Sequence, residues 1–354
     1  MSFPVDCSIL QCPITKENLF SADAAIIGRA NKRLNGTEKF TDGLVNQSQT
    51  IFFPVNQNIL FLHYHYCIPL TEEITSGSKM AFDKERIFNY YNQIKYINFE
   101  GKQIYEDAGK WVDFRDFVLP YTQHGFSNVR KYIQPQGKYF ADIASGPVAF
   151  KEYVQLANGY ECRICIDISV NALLEAQYNL QKENQPGIFI CADMLTLPLK
   201  EKVCDAVVCH HALFHVQKDL QLRAMKEMYR IAKPSTSIAI VYDWFYHSLL
   251  MNITLGPVQL YRIARHYAGK LYAGVFKKNK LYFYSHSRHW FIKNTPGKKI
   301  NFYVWRSINK YFSSIYLHKN FGGKQLLNYI WKKEEEKPEL MGRIGEYAVI
   351  VIEK

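Results

Sequence analysis

The pattern of residues 138–168 constrains the fold more than any other feature. Two apolar runs, Tyr139–Ile143 and Cys162–Ile166, flank a small-residue turn and a helical stretch, and the second run ends at Asp167. A strand, tight turn, helix, strand and acid can hold a nucleoside-bearing cofactor. The turn lets the backbone approach the ligand, and the acid can accept hydrogen bonds from ribose hydroxyls. The dinucleotide fingerprint Gly-x-Gly-x-x-Gly is absent here, which favours a cofactor without a pyrophosphate.

The next part of the chain continues the alternation of strands and helices. A helix is expected over Val170–Gln181, with Ser169 as its N-cap, and a second one over 220–232. Such alternation is typical of an α/β fold with a parallel sheet. Further strands are expected at 188–191, 203–209, 238–243 and, closing the chain, 347–352.

Six motifs then resemble those of class I S-adenosylmethionine-dependent methyltransferases, and their order is closest to the quinone-biosynthesis and related small-molecule enzymes. The resemblance implies a Rossmann-like, seven-stranded sheet and S-adenosyl-L-methionine as cofactor. The family has glycine where this chain has Ala144 and Val148, and alanine fits there if its φ stays negative. The motifs are Asp142 to Gly146, Asp167, Asp193 with Leu197-Pro198, Cys204-Asp205-Ala206-Val207, Leu213-Phe214-His215 and Arg230-Ile231-Ala232-Lys233-Pro234.

The same resemblance implies a cofactor-binding set. Asp142 is expected near the methionine amino group, and Asp167 is expected to accept both ribose hydroxyls through charge-assisted bonds. Asp193 is expected at the adenine amino group, with Met194 packed on the ring. The expected set is completed by Ala144, Gly146, Ile168 and His210.

Three histidines are the predicted catalytic residues. His211 and His215 follow the fourth strand, where the transferred methyl should lie, and a histidine base suits a hydroxyl or protonated amine acceptor. His286 belongs to 282–290, a polar and aromatic stretch expected to form a substrate wall with His286, Arg288 or His289 facing the pocket. The alternative is a half-buried strand with one face in solvent; strand alternation puts His286, Arg288 and Trp290 on one side, which favours the substrate wall. Because methyl transfer depends mainly on in-line positioning, a dedicated base is not required.

Three segments are predicted along the chain. Residues 1–70 are a β-rich module that resembles the zinc-ribbon-like activators of methyltransferases, and Cys12 lacks the second nearby cysteine of a zinc site, so no metal is predicted. Residues 71–137 are expected to be a helical lid or linker. Residues 138–354 form the methyltransferase domain, with a substrate-binding insertion at 244–345.

The net charge and composition of the chain limit the kinds of partner and location that can be expected. The net charge is +12 and no run of apolar residues is long enough to span a bilayer. Eight scattered cysteines and an N-terminus without a secretory pattern favour a cytoplasmic location.

The first hypothesis for the function is methyl transfer to an oxygen or nitrogen of a small molecule. The second is an RNA or protein methyltransferase, with RNA as the partner that the basic charge favours, and the third is a non-catalytic binding module of the same fold. The sequence gives no oligomeric state.

Overall fold

The structure, a computed structural model, describes residues 6–34, 39–72, 96–99, 102–106, 111–276, 281–297 and 299–354. Apart from one hairpin of Tyr96–Phe99 (β6) and Lys102–Tyr105 (β7), the described strands form one twelve-stranded sheet. Its strands are Leu19–Ser21 (β1), Gly43–Asn46 (β2), Ile51–Asn56 (β3), Ile59–Leu60 (β4), Ile68–Pro69 (β5), Gly137–Ile143 (β8), Tyr160–Asp167 (β9), Gly187–Cys191 (β10), Ala206–His210 (β11), Ser237–Asp243 (β12), Lys299–Arg306 (β13) and Tyr347–Glu353 (β14).

The helices lie between these strands. The α-helices are Ala24–Lys32 (α1), Leu119–Asn128 (α2), Lys151–Val154 (α3), Val170–Lys182 (α4), Gln221–Ile231 (α5), Leu249–Phe276 (α6), Arg288–Asn294 (α7), Lys310–Tyr316 (α8), Gly323–Glu336 (α9) and Pro338–Ile344 (α10). α6 is kinked at Gly256, whose φ of +37° is not helical, so two helical parts meet there. Short 3-10 helices occupy Cys7–Ile9, Val129–Tyr132, Gln155–Ala157, Leu213–His215, Lys218–Leu220 and Phe245–His247.

The strand order places a parallel block at the centre of the sheet. In space the strands run β1-β2-β3-β4-β10-β9-β8-β11-β12-β14-β13, and β5 pairs with β3. From β4 to β12 the central neighbours are parallel, whereas β14 runs antiparallel between β12 and β13. The predicted α/β class with a mostly parallel sheet is confirmed. The carboxyl ends of β8 to β12 lie along one edge, which we call the carboxyl edge.

The sheet is larger than the predicted seven strands. Residues 137–354 contribute β8 to β14, and the N-terminal strands continue the same sheet through β4, which pairs Ile59 with Phe189 and Leu60 with Ile190. β4 can join because both of its side chains are buried against the main core. The N-terminal residues therefore extend the main sheet and do not form a sheet of their own.

Helices cover the two faces of the sheet. On one face α2, α3 and α4 bury residues such as Phe126, Tyr153 and Leu173. On the other face α5 and α7 bury Met225 and Phe291 against the inner strands. The β-sheet is thus enclosed on both sides, as a parallel block requires, and ligands can reach its polar atoms only along its edges.

The predictions outside the parallel block are less accurate. The 244–345 segment is not one block, because its central part is β13, which pairs with β14. The strand predicted over 282–290 is wrong: residues 281–287 are irregular, and the Ser287 hydroxyl accepts the Trp290 N–H at 3.3 Å to begin α7. In the 71–137 segment, residues 73–95 fall outside the described residues, and the described part holds the hairpin β6–β7 and α2.

Candidate functional site

The turn after β8 has the backbone of a glycine turn although two of its residues are not glycine. Gly146 has a φ of +59°, and Ala144 and Val148 have φ values of +56° and +47°. The condition under which alanine fits this position without strain, a negative φ, is therefore not met. The left-handed conformation costs an L-residue about 1–2 kcal/mol, so the surrounding contacts hold this turn in a strained form.

Replacing Ala144 with glycine should relieve that strain. We expect Ala144→Gly to raise the free energy of unfolding by about 0.5–1 kcal/mol, since the relief exceeds the extra entropy of glycine in the unfolded chain. Urea denaturation measures the change. Ala141→Gly, in the fully buried middle of β8, is the matched control and should destabilise the protein. Equal losses in both variants would contradict the strained turn.

Asp167 connects this turn to the end of β9. Its Oδ2 accepts the Gly146 N–H at 2.8 Å, and its Oδ1 accepts the Ser169 N–H at 2.8 Å. Burial raises the pKa of its carboxyl to about 6. Each carboxylate oxygen has two acceptor sites, so each can still accept one bond from a ligand hydroxyl. Ser169 caps α4 as predicted, accepting the Ala172 N–H at 3.3 Å.

Residues after β9 and β10 line the carboxyl edge beside this turn. Ile168 is half-buried, and its carbonyl accepts the Cys191 thiol at 3.7 Å. Asp193 and Met194 are also half-buried, and the Asp193 carboxylate accepts the Leu195 N–H at 2.9 Å. The parallel register thus brings the predicted adenine and ribose residues to one edge of the sheet.

Asp142 is placed differently from its prediction. Its carboxylate is fully buried and accepts the Tyr153 hydroxyl at 2.6 Å, and it forms an ion pair with the guanidinium of Arg163 at 2.5 Å. Arg163 is also fully buried and donates to the Tyr153 carbonyl at 2.8 Å. Both carboxylate oxygens have internal partners, so the structure assigns Asp142 to the interior and not to direct contact with a ligand amine.

The hairpin β6–β7 lies over the glycine turn. A Cβ on Gly146 would be 3.6 Å from the ring and from the hydroxyl of Tyr105. The rings of Tyr96 and Tyr105 are 5.3 Å apart, and burial together with the charge of Asp167 raises the pKa of Tyr96. Two tyrosines from the segment preceding β8 therefore cover the site at Gly146 and Asp167.

His210 ends β11 and His211 follows it, and both rings lie in an aromatic environment. The ring of His210 lies 4.7 Å from Tyr153 and 6.0 Å from Phe126, and neither of its ring nitrogens has a hydrogen-bond partner in the described part of the chain. The ring of His211 lies 4.3 Å from that of Trp305. Burial lowers the pKa of His210 well below its ordinary range and that of His211 to about 3. Both side chains are neutral at neutral pH.

This burial should make the protein sensitive to acid. Below the ordinary histidine pKa of 6.5 the unfolded chain binds a proton that His210 in the folded protein does not, so stability falls as the pH falls. We expect His210→Phe to reduce this loss by about 1.4 kcal/mol per pH unit below pH 6. Urea denaturation between pH 7 and 5 tests it. His289→Phe, at an exposed site, should leave the slope unchanged, and an unchanged slope in both variants would contradict the assignment.

A buried charged cluster lies beside these histidines and was not predicted. Asp243 ends β12, and Glu346, which precedes β14, pairs with Arg262 at 2.8 Å. Burial and the nearby charge of Glu346 raise the pKa of Asp243 well above its ordinary range. The signal that could have found Asp243 is its place as an acid at the carboxyl end of a predicted parallel strand.

His215 and His286 do not meet His211. The His215 Nδ1 bonds the Tyr282 carbonyl at 2.8 Å. The His286 ring stacks on Trp290 at 3.7 Å, and its Nε2 bonds the Lys218 carbonyl at 3.1 Å. His286 lines a cleft of about 470 Å³ together with Lys218, Tyr246, His247, Tyr284 and Trp290. The three predicted catalytic histidines therefore do not form one cluster: His211 lies at the carboxyl edge, His286 lines this cleft, and His215 bonds the segment that leads to His286.

The described residues contain neither a cluster of metal ligands nor a membrane-spanning helix. In the described ranges, no group of three or more His, Cys, Asp or Glu side chains could hold a metal ion. The Cys12 sulfur accepts the Thr15 N–H at 3.3 Å and the Cys67 thiol donates to the Tyr64 carbonyl at 3.1 Å. Of the helices that the structure describes, none combines the length and the apolar character needed to cross a bilayer.

Comparisons with known proteins find a family match for the central part of the chain. A family model described as a methyltransferase domain matches residues 141–240. No curated protein matches the sequence. The match supports a class I methyltransferase with S-adenosylmethionine as its cofactor.

Solved structures with similar architecture have low identity. A complex between the Haloferax volcanii Trm112 methyltransferase activator and a methyltransferase is 11% identical, covers 66% of this chain and 91% of that chain, and has a TM-score of 0.42. The YcgJ protein of Bacillus subtilis is 14% identical, covers 65% of this chain and 98% of its own, and has a TM-score of 0.38. A Leishmania major SAM-dependent methyltransferase is 18% identical over 46% of this chain and 61% of its own, with a TM-score of 0.36. The assignment rests on the family match.

The carboxyl edge fits this cofactor chemically. Asp167 has an acceptor site left on each oxygen for a ribose diol. Asp193 can accept an adenine N–H, and Met194 offers a half-buried apolar surface to a base. These side chains would hold the nucleoside part of S-adenosylmethionine.

Proposed function

We propose that this chain transfers a methyl group from S-adenosylmethionine to an oxygen or nitrogen of a small-molecule acceptor, by in-line displacement. The observation that carries the proposal is the bond between Asp167 and the Gly146 N–H. It joins Asp167, the carboxylate proposed to bind the ribose, to the turn after β8 at one edge of the sheet, inside the matched residues 141–240. A cofactor nucleoside can be held there by side chain and backbone together.

The proposed cofactor residues divide into two roles. Asp167 binds the ribose, Asp193 and Met194 bind the adenine, and the turn and Ile168 shape the space between them. Asp142 is a positioning residue, because it fixes β8 to Arg163 and Tyr153 beneath the turn. The residues of the turn are Ala144 and Gly146, and His210 closes the site from β11.

The proposed acceptor lies at the ends of β11 and β12. When bound, S-adenosylmethionine supplies an electrophilic methyl group on its sulfonium. His211 has a buried Nε2 without a hydrogen-bond partner in the described residues, and it can accept a hydrogen bond from an acceptor hydroxyl. Because its pKa is about 3, we assign it to positioning the acceptor and not to removing a proton near neutral pH.

The remaining two histidines are proposed to act through the cleft. His286 forms part of its wall, where Tyr246 and Tyr284 offer flat surfaces to an organic ligand. His215 holds the Tyr282 carbonyl and so fixes the segment that carries His286. Both are therefore substrate-binding or positioning residues, with no proton transfer assigned to them.

The acceptor class can be tested without knowing the acceptor. The protein is incubated with S-adenosylmethionine labelled in its methyl group and a cell extract, which is then separated into small molecules, RNA and protein. We expect the label among the small molecules, and not with Asp167→Ala. Label in RNA or protein would establish the second hypothesis instead. Cofactor binding without any transfer would indicate a non-catalytic module.

A further inference from the structure

The net positive charge of this protein comes from one part of the chain. Residues 244–333, which we call the acid-free segment, contain 16 Lys and Arg and no Asp or Glu. The other 264 residues carry 28 Lys and Arg against 32 Asp and Glu. The whole positive excess therefore comes from about a quarter of the sequence. A local excess of positive charge of this size attracts anionic partners.

The same segment also carries most of the exposed apolar side chains. Eleven of the seventeen large apolar side chains that are exposed in the described residues belong to it. On α6, Ile253 is 72% exposed and Leu260 is 70% exposed. We call the following residues of α6 and α8 the apolar face: Leu249, Ile253, Leu260, Tyr261, Ile315 and Tyr316.

A hydrogen bond and a buried apolar cluster support the apolar face from the inner side. The Tyr316 hydroxyl donates to the Thr254 carbonyl at 2.6 Å, which joins the end of α8 to α6 beside Ile253. Below them Met251, Leu255 and Phe312 are buried in one cluster. This packing holds the exposed side chains of α8 and of the part of α6 before the kink at Gly256 outward. Beyond the kink, Gln259 donates to the Phe245 carbonyl at 3.1 Å and Arg262 pairs with Glu346 at 2.8 Å, which fixes the part of α6 that carries Leu260 and Tyr261.

Cations border this apolar face. Arg265 of α6, Lys319 just after α8 and Lys324 at the start of α9 are all exposed. None of these three forms an ion pair within the described ranges. The nearest part of the sequence offers no carboxylate to neutralise them, because the acid-free segment extends on both sides. They are therefore available to an anionic surface outside the chain.

We propose that the apolar face docks on the surface of an anionic lipid bilayer. Aliphatic side chains such as Ile253 and Leu260 gain free energy in the acyl boundary, while the bordering cations bind lipid phosphates and carboxylates. A nucleic acid would pair with the cations, but it offers nothing to exposed aliphatic side chains, since its bases stack on aromatic rings. With no helix in the described residues able to cross a bilayer, the protein lies on the surface. This role is independent of the proposed methyl transfer.

Vesicle co-sedimentation of the full chain tests the docking. Vesicles of phosphatidylcholine, with and without phosphatidylserine, are the probes. We expect binding only with phosphatidylserine, and weakening by added salt. Both Ile253→Asn/Leu260→Asn and Lys319→Glu/Lys324→Glu should weaken it about tenfold or more. The matched control is Phe20→Asn/Tyr178→Asn, since these side chains are 50% and 56% exposed elsewhere, and it should bind like the wild type.

Four results would overturn the proposal. The first is the absence of binding to either vesicle by protein whose circular dichroism shows the native fold. The second is equal weakening in the control, which would indicate non-specific adhesion. The third is binding to single-stranded polyuridylate that depends on Lys319 and Lys324 but not on Ile253 and Leu260, which would assign the surface to nucleic acid. A dimer that is lost in the Ile253→Asn/Leu260→Asn variant, without vesicle binding, would instead assign the face to a second copy.

Discussion

Asp167→Ala should weaken the binding of S-adenosylhomocysteine by about 100-fold. The carboxylate is expected to give two charge-assisted hydrogen bonds to the ribose, each contributing about 1.5–3 kcal/mol. The variant also loses the acceptor that holds the Gly146 N–H, so the turn itself is less well ordered. Isothermal titration of S-adenosylhomocysteine into both proteins measures the loss.

A general loss of stability has to be separated from this effect. Asp205 is a matched control because its Oδ2 also accepts two backbone N–H groups, those of Lys138 and Tyr139, each at 3.0 Å. It does so at the start of β8, the end opposite to the glycine turn. Asp205→Ala should therefore lower the free energy of unfolding without lowering the affinity. Equal affinity losses in both variants would remove Asp167 from the site.

The second large effect concerns the buried ion pair. Arg163→Met should lower the free energy of unfolding by about 3–5 kcal/mol, because it leaves the Asp142 carboxylate without its cation at a site with no solvent exposure. Combining it with Asp142→Asn removes the unpaired charge and should recover a large part of the loss. Urea denaturation of the two single variants and the double variant gives the coupling free energy.

An exposed pair supplies the comparison. Arg343 pairs with Glu339 at 3.3 Å on α10, where both side chains are at least half exposed. Arg343→Met should change the stability by less than about 1 kcal/mol, since solvent screens such pairs. If Arg163→Met were as mild as Arg343→Met, or if the double variant were no more stable than the single one, the buried pair would not hold β8 to β9.

The sequence was sufficient for the parts of the site that local rules determine. Strand alternation predicted the parallel block and the place of Asp167 at the carboxyl end of its second strand, and Ser169 was recognisable as a helix cap. Short-range patterns determine these features because each depends on neighbours within one βαβ unit. The structure could therefore be expected to bring Gly146, Asp167 and Asp193 to one edge.

Other features depend on contacts between distant residues. Nothing near Asp142 in the sequence shows that Arg163, 21 positions away, enters the core and pairs with it. The positive φ of Ala144 follows from the closure of the turn, which overrides the preference of alanine. For His286, alternation within 282–290 predicted a strand, but the capping hydroxyl of Ser287 begins a helix there.

Binding of S-adenosylmethionine at the carboxyl edge is tested by calorimetric titration of S-adenosylhomocysteine into the wild-type protein. We expect a single site with micromolar affinity, and its loss in Asp167→Ala but not in Asp205→Ala. No heat of binding with wild-type protein that unfolds cooperatively in urea would show that the intact carboxyl edge does not bind this cofactor.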